Sequence, residues 1–413
     1  MAQLSDDCFA FGGALLPLAE AQARIFEIFA PVTAVQVVAL EDAVGRILAD
    51  DVVASISLPP ELNSAVDGYA FRHADLSHEG ATRLALDGRT AAGQPPAIVA
   101  PGHASRIFTG AAMPGGLDTV MMQEDCEADA NGIVLPAGLK RGANARPVGE
   151  DIATGARALR AGRRLMPPDI ALLAGLGQAH VTVRSRLRVA VFSTGDELID
   201  PPASLAPGQI YDANRLMLLG LLRRLSAEVT DGGILPDRAD TTADALRKAA
   251  TSHDLVLTSG GVSTGEEDHV RAAIEKAGRL AFWRVGIKPG RPVALGEIGA
   301  TPLLGLPGNP VAALVTFSAL GRPLFDRLAG GVYTPPPAFR AVSGFAYRKK
   351  LGRLEYVRVT IAADGTAHRY PKEGAGIITS LTESDALMAL PEAMTQLSPG
   401  DIAPIIPLGL LYG

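Results

Sequence analysis

Cysteine is almost missing from this chain of 413 residues: Cys8 and Cys126 stand alone, with no CxxC pair. That excludes a disulfide framework and a zinc site of the usual Cys/His spacing. Tryptophan occurs once, at Trp283. No apolar run reaches about 18 residues, the length needed to span a bilayer as a helix. No basic stretch followed by an apolar core opens the chain as a secretion signal would. Positive charge is not in excess either, since 38 Lys and Arg face 44 Asp and Glu for a net charge of −6. A broad nucleic-acid or acidic-membrane surface is thereby excluded. Together these absences predict a cytoplasmic protein. They leave room for a small anionic ligand, provided cations are gathered locally.

Apolar residues, by contrast, make up 47% of the chain, enough for sizeable cores, while 45 Gly and 30 Pro break it into many turns. At about 100–200 residues per domain, the length predicts two to four domains. Apolar spacing predicts short helices at 18–29 and 40–49 and a strand at 52–58. Asn63-Ser64 and Asp67-Gly68 have turn chemistry, and spacing alone reads Asp67 as part of a plain hairpin turn. From 81 to about 139 the pattern is all-β, with Thr109 either an ordinary strand end or a hydroxyl beside a ligand. A cationic stretch follows that includes Arg146, and most such runs are solvated connectors.

From 186 to 330 the pattern becomes alternating strand and helix, which predicts a doubly wound α/β sheet. The apolar runs 255–257, 293–295 and 303–306 read as buried strands of a parallel sheet, each beside a loop suited to anions. Ser259-Gly260-Gly261 lets backbone N–H groups approach a ligand with no Cβ in the way. Lys288-Pro-Gly-Arg-Pro292 sets Lys288 and Arg291 on a stiffened turn. Pro307-Gly308-Asn309-Pro310 reads as a helix start, with Asn309 as N-cap and Pro310 in the first turn. Gly-rich turns often only turn; three together make a ligand site the better reading. Asp196, Glu197, Asp237 and Asp268, with Glu266 and Glu267, also follow predicted strands. On one sheet edge they would repel one another unless they shared a divalent cation. After Pro335–Pro337 a small β domain closes the chain.

SAVDGYA, TGAAMPGG, VFSTGDEL, SGGVSTGEED, KPGRP and LPGNPV follow one another in this order. Together they closely resemble the molybdopterin molybdenumtransferases, the family of bacterial MoeA and the gephyrin E domain. The resemblance implies four domains. Residues 1–56 and 141–185 would form an elongated helical/β linker and 57–140 a β-rich second domain. Residues 186–330 would form the α/β domain shared with molybdopterin adenylyltransferases, and 331–413 a small β-barrel-like domain. It also implies a homodimer whose active site lies between the α/β domain of one subunit and the β-rich domain of the other. Adenylylated molybdopterin and molybdate would be substrates, Mg²⁺ or another divalent cation the cofactor, and AMP a product. The molybdopterin adenylyltransferase and acceptor molybdoenzymes are implied as partners.

Carried over motif by motif, the resemblance makes Asp67, Thr109, Glu197, Asp268 and Lys288 catalytic. Ser259, Gly260, Gly261, Arg146, Arg291, Pro307, Gly308, Asn309 and Pro310 would bind substrate. Glu197, Asp237 and Asp268 would hold the metal. The chain departs from the family pattern at Val66, at Glu266-Glu267, and at Arg284 and Arg291, where lysines are frequent. Arginine changes the donor geometry offered to an oxyanion. Two other readings stay open: an adenylyltransferase consuming ATP without molybdate, and a non-catalytic scaffold that binds molybdopterin.

Overall fold

The apolar strands Arg188–Thr194, Leu255–Ser259 and Thr301–Leu306 lie side by side at the centre of a six-stranded sheet. Its order is 228–235, 188–194, 255–259, 301–306, 294–298, 278–283. The computed structural model describes residues 15–77, 79–129, 131–262 and 269–412. The first four strands are parallel. Alternate side chains face opposite layers. Val189, Val191, Leu255, Leu257, Leu304 and Leu306 pack with the helices Leu18–Ile28 and Asn214–Arg224 and the helical stretch 310–328. Ala190, Phe192, Val256 and Leu303 pack instead with Ala239–Ala250 and His269–Ala277. Helices on both faces are what a doubly wound sheet needs to bury strands apolar on both sides.

The strand after Lys288-Pro-Gly-Arg-Pro292 corrects an expectation. Ala294–Ile298 runs antiparallel to Thr301–Leu306 and to Gly278–Trp283. Ile298 pairs with Thr301, so the connection between those strands is a two-residue hairpin, too short for the crossover a parallel pair requires. Residues 288–292 therefore lead into the strand Ala294–Ile298 instead of following it. Because that strand is reversed, its start, Ala294, pairs with Gly305 near the end of the neighbouring strand. The cationic turn still reaches the edge where Ser259 and Leu306 end.

A second six-stranded sheet, ordered 119–122, 68–71, 103–107, 82–90, 132–135, 127–129, forms the β-rich region. In the linker region Val35–Ala39 pairs with His180–Arg184, and Val52–Val53 with Arg157–Leu159. The helix expected over 40–49 is only a single turn, Leu40–Asp42, and Ile47 and Leu48 bridge to Arg164 and Val183. Burying a large aliphatic side chain contributes about 1.5–3 kcal/mol, whereas helix propensity differs by only a few tenths per residue. Ile47 and Leu48 are both buried, so pairing wins. The expected strand over 52–58 likewise shrinks to Val52–Val53, with Leu58 bridging Ile152. At the C-terminal end five strands close into a barrel in the order 354–361, 366–369, 339–343, 402–407, 386–390 and back to 354–361. Ile287–Lys288 adds to it in parallel, Lys288 opposite Glu355.

Candidate active site

Two loops meet at the carboxyl edge of the central sheet. Gly260 N–H donates to Leu306 O at 2.9 Å, and Ser259 Oγ donates to Pro307 O at 3.4 Å. Gly260 has φ +97°, and a Cβ there would lie 2.7 Å from Thr194 O. Glycine is thus required both by its backbone angle and by the approach of the neighbouring strand. Asn309 precedes the helix Pro310–Thr316 with extended backbone, as an N-cap should, yet its side chain caps nothing. It lines the adjoining cleft instead. Asn214, at the start of the helix Asn214–Arg224 and outside every motif singled out in the sequence, donates to Ser259 Oγ and to Gly308 O.

That cleft, of about 310 Å³, lies between the sheet edge and the barrel. Lys288, Arg291, Pro307 and Asn309 line one wall, and Arg353, Glu355, Arg358, Arg369 and Tyr370 the other. Lys288 Nζ lies 3.1 Å from Glu355 Oε2, which also accepts from Tyr347 Oη at 3.0 Å. The Glu355 side chain is 1% exposed, whereas Lys288 is half exposed. Burial pulls the Lys288 ammonium down, but Tyr347 and Glu355 outweigh it and hold its pKa above the ordinary lysine value. Glu355 and the barrel arginines carry no motif signal; only the strand pairing of Lys288 with Glu355 reveals them. Of the two arginines that depart from the family pattern, Arg291 lines the cleft. Arg284 is buried, with its guanidinium 4.1 Å from the Trp283 ring centre.

The acidic residues divide. Asp196 N–H donates to Asp237 Oδ2 at 3.2 Å and Asp237 N–H to Asp196 Oδ1 at 3.1 Å, so these two strand ends are tied together. The Glu197 side chain folds back over Gly195, where a Cβ would lie 2.4 Å from its Oε2. Asp268, Glu266 and Glu267 lie outside the described residues. Among the described residues no three His, Cys, Asp or Glu side chains converge as a metal site. The loop bearing Asp196 and Glu197 is pinned further along by Arg215, a buried guanidinium paired with Asp200, Asp212 and Asp231.

In the β-rich sheet Asp67 and Thr109 meet, although they come from separate motifs. Thr109 donates to Asp67 Oδ1 twice, from its N–H and from its Oγ1, each at 2.8 Å. These bonds, the backbone one first, hold the partly exposed Asp67 carboxyl below the usual range. Asp67-Gly68 is therefore not a plain hairpin turn. Gly68 opens the strand Gly68–Phe71, and a Cβ on it would lie 1.9 Å from Met121 O. Val66 is partly buried and packs against the apolar cluster that includes Ala70 and Ile107. Arg106, which the sequence did not single out, acts electrostatically on Asp67 and lies 4.9 Å from the Tyr69 ring centre. Arg146 is exposed, on the two-residue strand that pairs with Asn63–Ser64. Among the described residues no hydrogen bond or ion pair joins Asp67, Thr109 or Arg146 to the loops at 259–261, 288–292 or 307–310.

Three family models cover this architecture. The MoeA N-terminal region (domain I and II) matches residues 16–177, a probable molybdopterin binding domain 190–327, and the MoeA C-terminal region (domain IV) 340–408. The molybdopterin molybdenumtransferase of Haemophilus influenzae is 37% identical over 97% of this chain and 100% of its own length. The chain belongs to the MoeA family. Among solved structures, the molybdopterin biosynthesis MoeA protein of Pyrococcus horikoshii matches this MoeA-family chain with TM-score 0.81 and 29% identity, over 95% of this chain and 100% of that one. Gephyrin of Dictyostelium discoideum is 30% identical over 90% of this chain and 59% of its own length.

Proposed function

We propose that this MoeA-family chain is a molybdopterin molybdenumtransferase, inserting molybdate into adenylylated molybdopterin and releasing AMP. One observation carries the reading: the loop at 259–261 is tied at a sheet edge to the loop at 307–310, whose Pro307 and Asn309 line a cleft together with Lys288, Arg291, Arg353, Arg358 and Arg369. A pterin phosphate, its adenylate and molybdate are all anions, and crowding them together demands aimed N–H groups and cations. The family relatives named molybdopterin molybdenumtransferase support the same substrate pair.

In this reading the backbone of Ser259–Gly261 and Gly308–Asn309 receives the phosphates. Lys288, kept charged by Glu355, and the cleft arginines receive the oxyanion. Water adds across the phosphoanhydride, so that AMP and the pterin phosphate separate, and the two dithiolene sulfurs bind the molybdenum as one molybdate oxygen leaves as water with the two thiol protons. Asp196, Glu197 and Asp237 supply hard oxygen donors at adjoining strand ends, which fits Mg²⁺ sharing one or two carboxylates with substrate phosphates. Such an ion would neutralise charge on the anhydride oxygens; Asp268 belongs to the same proposed set.

The protein works as a homodimer, in which Asp67, Thr109 and Arg146 of one subunit complete the site of the other. The division of the chain at 57, 141, 186 and 331 and a cytoplasmic setting belong to this proposal. No helix among the described residues is long and apolar enough to cross a membrane. The test is incubation with adenylylated molybdopterin and Mg²⁺, with and without molybdate, following AMP. Release that depends on molybdate is expected. AMP formation only from ATP, or binding without release, would instead indicate an adenylyltransferase or a scaffold.

A further inference from the structure

Asn214 opens the helix Asn214–Arg224 and is 7% exposed. Its amide nitrogen donates to Ser259 Oγ at 2.8 Å and to Gly308 O at 2.7 Å. Its Oδ1 is buried and has no partner among the described residues. Gly308 O can only accept, so the amide cannot be turned round without setting oxygen against oxygen. This side chain is therefore wholly committed to the two loops at the sheet edge.

The consequence follows from peptide planarity. A trans peptide holds its C=O and N–H on opposite sides, and neither peptide joining Pro307, Gly308 and Asn309 is cis. Drawing Gly308 O inward onto Asn214 turns the Asn309 N–H outward. Drawing Pro307 O onto Ser259 Oγ, itself held by Asn214, turns the Gly308 N–H outward. Neither N–H donates to another group among the described residues. Unpartnered donors favour relaxation of the loop, and the amide of Asn214 opposes it.

We infer that Asn214 is a positioning residue, holding the Gly308 and Asn309 N–H groups aimed at the anionic substrate before it arrives. This rests on the reading that these loops grip the phosphates of adenylylated molybdopterin. Asn214→Leu keeps the shape and removes both donors. Losing the aim of two charge-assisted contacts should raise KM for adenylylated molybdopterin roughly 10- to 100-fold and leave kcat within about threefold. In the free protein, amide exchange at 306–311 and 259–261 should quicken while the central strands stay protected. Asn214→Asp, which can accept from Ser259 Oγ but repels Gly308 O, should reproduce the KM effect if the leucine variant does not fold.

An unchanged KM in a folded variant overturns the inference. So does a fall in kcat accompanied by uniformly faster exchange, which is what a purely structural role produces. Should the wild type fail to bind adenylylated molybdopterin, the functional reading fails and takes the inference with it. Should the wild type bind and the variants keep its KM, only the inference falls.

Discussion

Asp67 receives two hydrogen bonds from one threonine, and both favour its charged form. Its pKa is depressed, so its charge is complete above the ordinary aspartate value of about 3.9 and is lost only as pH falls through a lower one. Across neutral pH, AMP release should therefore show no titration from Asp67. Asp67→Asn should slow release roughly 100-fold or more while the protein melts normally. Thr109→Val, which keeps the backbone N–H and loses only the hydroxyl, should cost roughly 3- to 10-fold. Chromatographic assay of AMP decides both, and wild-type turnover in Asp67→Asn would remove that residue from the site. Asp237→Asn should weaken binding of the divalent cation, measured as a rise in the Mg²⁺ concentration giving half-maximal release. An unchanged midpoint would count against its assignment.

The strand Ile287–Lys288 couples two modules, because its lysine sits opposite Glu355 of the barrel. Removing the carboxylate takes from Lys288 and Arg353 the acceptor they share, a side chain only 1% exposed. Glu355→Gln should lower stability by about 1–3 kcal/mol, discounted because Lys288 is half exposed. The raised lysine pKa sets the window. The contribution is complete below the ordinary value of about 10.4 and is lost as pH rises through the folded value. Urea midpoints of wild type and variant should differ from about pH 6 to about pH 10 and draw together only above about 10.4, as the pH passes the raised lysine value. A constant gap at high pH would mean that packing, not charge, holds the pair. Trp283, the sole tryptophan, donates to Val262 O at 3.3 Å, and Val262 directly precedes in sequence the stretch that carries Glu266, Glu267 and Asp268. Its emission should shift on addition of Mg²⁺ in the wild type and not in Asp237→Asn.

Taken whole, the molecule keeps its proposed catalytic groups apart within one chain. Asp67 and Thr109 lie in the β-rich sheet, and no residue of that region lines the cleft. Two inactive variants, Asp67→Asn and Lys288→Ala, should therefore complement when their subunits are exchanged. Each mixed dimer regains one intact site, giving roughly a quarter of wild-type release after random mixing. No recovery would place the complete site within a single subunit.

The sequence by itself determined the doubly wound sheet, since apolar runs bounded by Gly and Pro have few other ways to be buried. Its motifs also named the loops at 259–261 and 307–310, because glycine, proline and asparagine act on the backbone locally. Only the tertiary structure decided that Ala294–Ile298 runs backwards, that Ile47 and Leu48 pair instead of coiling, and that Glu355 stands against Lys288. It alone tied Asp67 to Thr109 and gave Asn214 two loops to hold. Those are contacts between residues tens or hundreds of positions apart. Periodicity and turn chemistry describe only near neighbours along the chain, whereas such pairs are chosen by packing.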